Sequence, residues 1–193
     1  MEHENMTGAE LQTLREACNL GRDELGDLVG VQARTVKHWE SGRAGVPADV
    51  AKLVRELEGT LDAAAAHAIE TVHRMQLENG APAQDVVLLR YKTDEDLATH
   101  YTDQRKTSPA GVMPASLHGA IVGRVRLALR NHQKFAGAGV RVVWFDADDY
   151  RKWLPEQHPL HQADSSENRA AWAAQQVEAQ AMPHRGDQPP KSN

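Results

Sequence analysis

The sequence predicts a mainly α protein, α+β overall, in which an all-helical N-terminal domain precedes a small α+β unit. Three observations carry this expectation. Through residue 58, apolar residues recur at helical spacing between glycine breaks. Further on, Val86-Val87-Leu88-Leu89 and the run from Val140 to Phe145 have the length and branching of short strands, with helical stretches between them. Beyond Pro155 the composition turns to Gln, His, Pro, Ala and other polar residues.

The first helix starts at Thr7-Gly8-Ala9-Glu10, a capping box in which the Thr7 hydroxyl caps the amide of Glu10 and the Glu10 carboxylate reaches back. Leu11, Leu14, Ala17 and Cys18 form its apolar stripe, and Asn19-Leu20-Gly21 ends it. A second helix, Arg22 to Val29, buries Leu25, Leu28 and Val29 and stops at Gly30. In VQARTVKHWESGR, residues 31 to 43, Val36 and Trp39 share one face, while Arg34, Lys37, His38 and Ser41 share the other. One side packs and the other faces outward. Pro47 suits a first helical position, and Val50, Leu53, Val54, Leu57 and Leu61 continue a stripe into an alanine-rich segment that meets no breaker before Asn79-Gly80-Ala81-Pro82. Between Leu61 and Met75 that stripe serves either packing within the chain or a seam between two chains.

In the second unit, Val86 to Leu89 reads as a buried strand, Thr93-x-x-Asp96 as a helix cap, and Ser108 to Gly111 as a turn. Pro114 to Phe135 reads as a helix burying Leu117, Ile121, Val125 and Leu129 or Ala128. Val140 to Phe145 is the second strand, and Asp146 opens a short helix ending near Leu154. Strands separated by helices can lie parallel, joined by a helical crossover. Ser165 to Ala181 can form an amphipathic helix with Trp172 and Val177, and Met182 to Asn193 reads as a loose tail. The expected division is 1–58, 59–82 as helical connection, 83–155, and a polar, partly disordered extension at 156–193.

Composition narrows the function. A chain of 193 residues that is 40% hydrophobic and 25% charged is long and apolar enough for a globular core. With Cys18 as the one cysteine, no intramolecular disulfide can form, which suits a reducing compartment. No basic stretch leads into an apolar N-terminal run, and no apolar segment reaches about 18 residues, so neither secretion nor a membrane partner is expected and the cytoplasm is the expected location. The formal net charge of −5 argues mildly against a nucleic-acid partner. Its distribution argues otherwise: Arg34, Lys37 and Arg43 face Glu40 alone within the third segment, and Asp23, Glu24, Asp27, Asp49, Glu56 and Glu58 lie outside it.

A helix-turn-helix needs a small residue where its helices touch, a glycine in the turn and apolar residues that lock one helix on the other. Gly26 and Gly30 meet the first two demands, and Leu25, Val29, Val31, Val36 and Trp39 meet the third. A plain amphipathic helix with a solvated charged face is the competing reading, and it does not require these features to coincide. With Trp39-Glu40-Ser41-Gly42-Arg43 following, residues 7 to 58 resemble the XRE family, the Cro and phage-repressor type of DNA-binding domain, which implies a five-helix-type helix-turn-helix fold. The resemblance implies base-edge contacts from Ala33, Arg34 and His38. It implies backbone contacts from Arg22, Gln32, Lys37, Ser41 and Arg43. Arg34 can donate twice to one guanine, and Ala33 can offer an apolar contact to a thymine methyl. His38 departs from the longer amide or arginine frequent at its position. Arg15 and Glu40 match a structural pair of the family that ties the first helix to the end of the third.

Across residues 7 to 154, WESGRAGVPADV, the long helix after it and the VVLLRY strand are similar to the YdiL-like group, which includes anti-CRISPR-associated repressors of phages and mobile elements. That likeness implies a C-terminal α+β dimerisation domain, repression of the protein's own operon, and in some relatives RNA binding. It also implies a bacterial or phage-encoded chain, associated with the nucleoid when bound. Gly137-Ala138-Gly139, a longer central region and the added tail depart from the group. Dimerisation has a physical argument too: one short helix reads few base pairs, and a two-fold pair places two of them about 34 Å apart on a palindrome.

The expectation is therefore a sequence-specific, autoregulatory transcriptional repressor, a homodimer on double-stranded DNA with a palindromic operator. The alternatives are an antitoxin that binds a toxin protein and an RNA-binding regulator using Arg124, Arg126, Arg130 and Lys134. No catalytic residue, metal site or cofactor is expected. His158-x-x-His161 lies among prolines without accompanying cysteines, and Asp146, Asp148 and Asp149 suit a helix cap better than a cation.

Overall fold

The computed structural model describes residues 5–79, 85–100, 113–131, 139–156 and 163–181. Helix α1, Gly8–Ala17, opens on the expected capping box: the Thr7 hydroxyl accepts from the Glu10 amide at 3.2 Å, and the Glu10 carboxylate accepts from the Thr7 amide at 2.7 Å. It closes as a Schellman motif, with Asn19 at φ 56° and the Leu20 and Asn19 amides donating to the carbonyls of Arg15 and Glu16. Helix α2, Arg22–Val29, closes the same way on Gly30 at φ 71°, and α3, Ala33–Glu40, on Gly42 at φ 70°. Three successive helices thus end on one local device.

Helix α4, Ala48–Asn79, is a single element of 32 residues, about 48 Å long at 1.5 Å per residue. Pro47 lies one position ahead of it, its carbonyl accepting from the Ala51 amide at 3.0 Å. The N-terminal turns of α4 bring Val50, Ala51 and Val54 into a core with Leu11, Leu25, Val36 and Trp39. Farther along, Leu57, Leu61 and Ala65 enter a second core with Cys18 and Leu20, so α4 serves both. The stripe beyond Leu61 is used within the chain, against α6, Ala115–Asn131. Asn19 adds a polar tie, donating from its side-chain amide to the Ser116 carbonyl at 3.0 Å.

Strand β1, Val86–Arg90, and strand β2, Val140–Trp144, pair in parallel, Leu88 opposite Val142. The crossover between them contains α5, Asp94–His100, capped by Thr93, and then α6. β1 is half-buried along its length rather than buried, because in a two-stranded sheet each strand is an edge. α6 buries Leu117, Ile121, Val125 and Leu129 as expected. Helix α7, Ala147–Trp153, is capped by the Asp146 carboxylate and followed by a 3-10 turn, Leu154–Glu156. Helix α8, Ser166–Ala181, inserts Trp172 into the second core beside Phe145 and Tyr150, and the Trp172 indole donates to Asp149 at 2.9 Å.

The acidic cluster is spent on structure. Asp146 caps α7, Asp148 pairs with Arg151 at 3.1 Å, and Asp149 accepts from Trp172 and Gln176. Arg124 of the expected basic face pairs with Asp62 at 3.2 Å, while Arg126 and Arg130 are exposed. No group of three potential metal ligands occurs among the described residues, and no helix among them is long and apolar enough to cross a membrane. The turn at Ser108 to Gly111, the extension of α6 to Phe135, Lys134, Gly137 and Ala138, His158 with His161, and the tail from Met182 lie outside the described residues.

Candidate nucleic-acid interface

Packing divides α3 into an inner and an outer side. Val36 is fully buried and Trp39 nearly so, and together with Leu25 of α2 and Leu11 of α1 they fix the inner side. α2 and α3 approach closely because Gly26 has no side chain: a Cβ there would stand 2.5 Å from the Val31 carbonyl oxygen. The same residue supplies the carbonyl that accepts from the Val31 amide at 2.8 Å, and Gly30 takes the left-handed conformation that turns the chain.

With that side fixed, the opposite side of α3 projects from the molecule. Arg22, Ala33, Arg34, Lys37, His38 and Arg43 line one shallow concavity of about 410 Å³. Four of these six are cationic and none is acidic. The formal charges lining it are therefore all positive although the whole chain carries −5. Gln32 stands exposed at the N-cap of α3, and exposed Ser41 at its C-cap donates its hydroxyl to the His38 carbonyl at 3.2 Å. Of the eight residues expected to face a ligand, the fold gathers six around the concavity and places Gln32 and Ser41 at the two ends of the helix.

Beneath this surface lies a nearly buried ion-pair cluster. Arg15 Nε donates to Glu40 Oε1 at 2.6 Å, as the resemblance implied, and its Nη1 donates to the Leu20 carbonyl at 2.5 Å. The other Glu40 oxygen accepts from Arg22 Nε at 2.5 Å, a bond that sequence reasoning missed. Arg22 and Glu40 are 18 positions apart and belong to different helices, so no periodicity links them. Gly8 was also missed: a Cβ there would collide with the carbonyl oxygens of Trp39 and Glu40, so α1 seats against the end of α3 through a bare backbone. A glycine directly behind the capping Thr7 was the available signal.

Comparison with known proteins agrees with this geometry. Residues 7–68 match a family model described as a helix-turn-helix domain. This span is similar to helix-turn-helix domains of the XRE type. Over 53 residues of its N-terminal part the chain is 42% identical to the Aca2 repressor of Pectobacterium phage ZF40, a match that covers 27% of this chain and 46% of that protein. The chain spans about half the length of the curated relative it matches. In the helix-turn-helix domain, α2 and α3 are the paired helices, Gly30 makes the turn, and α1 with the start of α4 closes the core.

Proposed function

We propose that the protein is a sequence-specific DNA-binding transcriptional repressor, autoregulatory, and that it binds an inverted-repeat operator as a homodimer. The observation that carries the reading is the cationic concavity on the outer side of α3, backed by buried Val36 and Trp39. In this reading α3 enters the major groove. Ala33, Arg34 and His38 meet base edges, while Arg22, Gln32, Lys37, Ser41 and Arg43 meet the sugar-phosphate backbone. Arg34 discriminates most, through paired donation to a guanine. The 42% identity to a phage repressor supports the regulatory direction.

Residues 1–58 form the reading head in this proposal, 59–82 the helical connection, 83–155 the dimerisation unit and 156–193 an extension. Double-stranded DNA is favoured over RNA because Arg124 is already paired with Asp62, which leaves Arg126 and Arg130 as the exposed cations of α6 among the described residues.

The test is fluorescence anisotropy on DNA from upstream of the protein's own gene, across a salt series, beside Arg34→Ala. Saturable binding that weakens with salt is expected, and the variant loses about 1–3 kcal/mol together with base preference. Binding that Arg34→Ala leaves untouched refutes the assignment of α3. Sedimentation of the complex gives two chains per operator if the homodimer reading holds.

A further inference from the structure

We propose that Glu40 is a positioning residue for Arg22: its buried carboxylate grips one edge of the Arg22 guanidinium so that the other edge is held ready for a DNA phosphate. The inference rests on the DNA reading above and extends it to a residue that reaches no DNA itself.

The Glu40 side chain is 3% exposed and that of Arg15 8%, whereas Arg22 is 42% exposed. The inner pair is thus a fixed base and the outer arginine is the part that solvent reaches. A guanidinium carries five N–H donors in a rigid planar fork. Arg22 spends Nε on Glu40 at 2.5 Å, and its two terminal amino groups make no hydrogen bond among the described residues. Those amino groups belong to the residue that lines the concavity with Arg34, Lys37 and Arg43.

Glu40 ends α3 and Arg22 begins α2, so the bond also fixes the cation relative to the recognition helix. An arginine held beforehand has already lost the rotamer freedom it would otherwise lose on binding, a saving worth roughly 2- to 10-fold in affinity. Simple charge counting predicts the opposite sign. Removing a carboxylate next to a polyanion site should tighten DNA binding, whereas the positioning role requires that it weaken.

The experiment measures affinity of the full chain for a mixed-sequence duplex over a salt series, since phosphate contacts do not depend on sequence. Wild type, Arg22→Ala, Glu40→Gln and the double variant are compared, with Arg34→Ala and Lys37→Ala as references and thermal unfolding without DNA as the fold check. Arg22→Ala is expected to weaken binding and lower the slope of log affinity against log salt by about 1. Glu40→Gln is expected to weaken binding roughly 2- to 10-fold in the wild-type background and to carry no penalty once Arg22 is gone.

Unchanged or tighter binding by Glu40→Gln overturns the proposal, as does a penalty that persists in the double variant. Arg22→Lys supplies a second route at a half-exposed site. It keeps the charge, but a lone ammonium on a flexible stem lacks the rigid planar fork that offers separate edges to Glu40 and to a phosphate, so it should keep the salt slope and lose the roughly 2- to 10-fold gain from positioning. Full affinity in Arg22→Lys also overturns the proposal. Wild type that binds no duplex at low salt defeats the DNA reading itself. Wild type that binds, with Arg34→Ala and Lys37→Ala weakened but Glu40→Gln not, defeats the positioning role alone.

Discussion

Helices α1, α2 and α3 each close on their own last turn, through Asn19, Gly30 and Gly42 at positive φ, whereas the second half of the chain closes on distant partners. There Val86 pairs with Val140, Trp172 donates to Asp149, and Asp164 gathers His100, Tyr150 and Arg169. The first arrangement closes each helix within its last turn; the second adds to its local caps pairings between residues far apart in sequence, 54 positions for Val86 with Val140 and 23 for Trp172 with Asp149. α4 joins the two, its first turns packed on the helix-turn-helix domain and its middle on α6.

The largest expected effect comes from removing the aromatic anchor of the second half. Trp172 is 1% exposed, and Trp172→Ala should cost about 3–5 kcal/mol. Hydrogen exchange should then show protection lost across β1, β2 and α8 while α1 to α3 keep theirs. Loss in both halves together would mean that α4 couples the two cores into one cooperative unit.

A smaller effect, also confined to the second half, is acid sensitivity. Burial, and then the Arg90 charge, lowers the His118 imidazole from 6.5 to about 4. As pH falls through that window the unfolded chain takes up a proton that the folded chain refuses, so stability declines, by on the order of 3 kcal/mol at most. Denaturant midpoints measured between these pH values should fall on acidification, and His118→Phe should flatten the trend. At still lower pH Asp164 adds a separate loss. Burial raises its pKa, but hydrogen bonds from His100, Arg169 and Tyr150 and the Arg169 charge lower it further, and the resulting stability disappears as pH falls through the depressed value.

The smallest effect probes the local device of the first half. Gly30 has open space around it, so Gly30→Ala meets only the backbone strain of a left-handed residue, about 1 kcal/mol. Thermal unfolding should register that loss, and a neutral result would show that the turn relaxes.

Much of the first half was readable from single residues. Thr7 with Glu10 marked a helix start, Gly30 a turn and Gly26 a close approach, because each expresses a constraint felt within a few positions. The gathering of Arg34, Lys37 and His38 on one side followed from helical periodicity. The Arg22 bond to Glu40 and the seat of Gly8 against α3 were not readable, since both depend on how α1 and α2 are angled against α3.

The sequence by itself thus determined where the helices of the N-terminal domain start and stop, which segments form the two strands, and the charged side of α3, since caps, glycine turns and hydrophobic periods act locally. Tertiary structure decided that α4 serves both cores, that Asp149 accepts from an indole of α8, and that one buried carboxylate holds two arginines. Those outcomes depend on which distant surfaces meet, and burial then favours arrangements in which polar groups find partners.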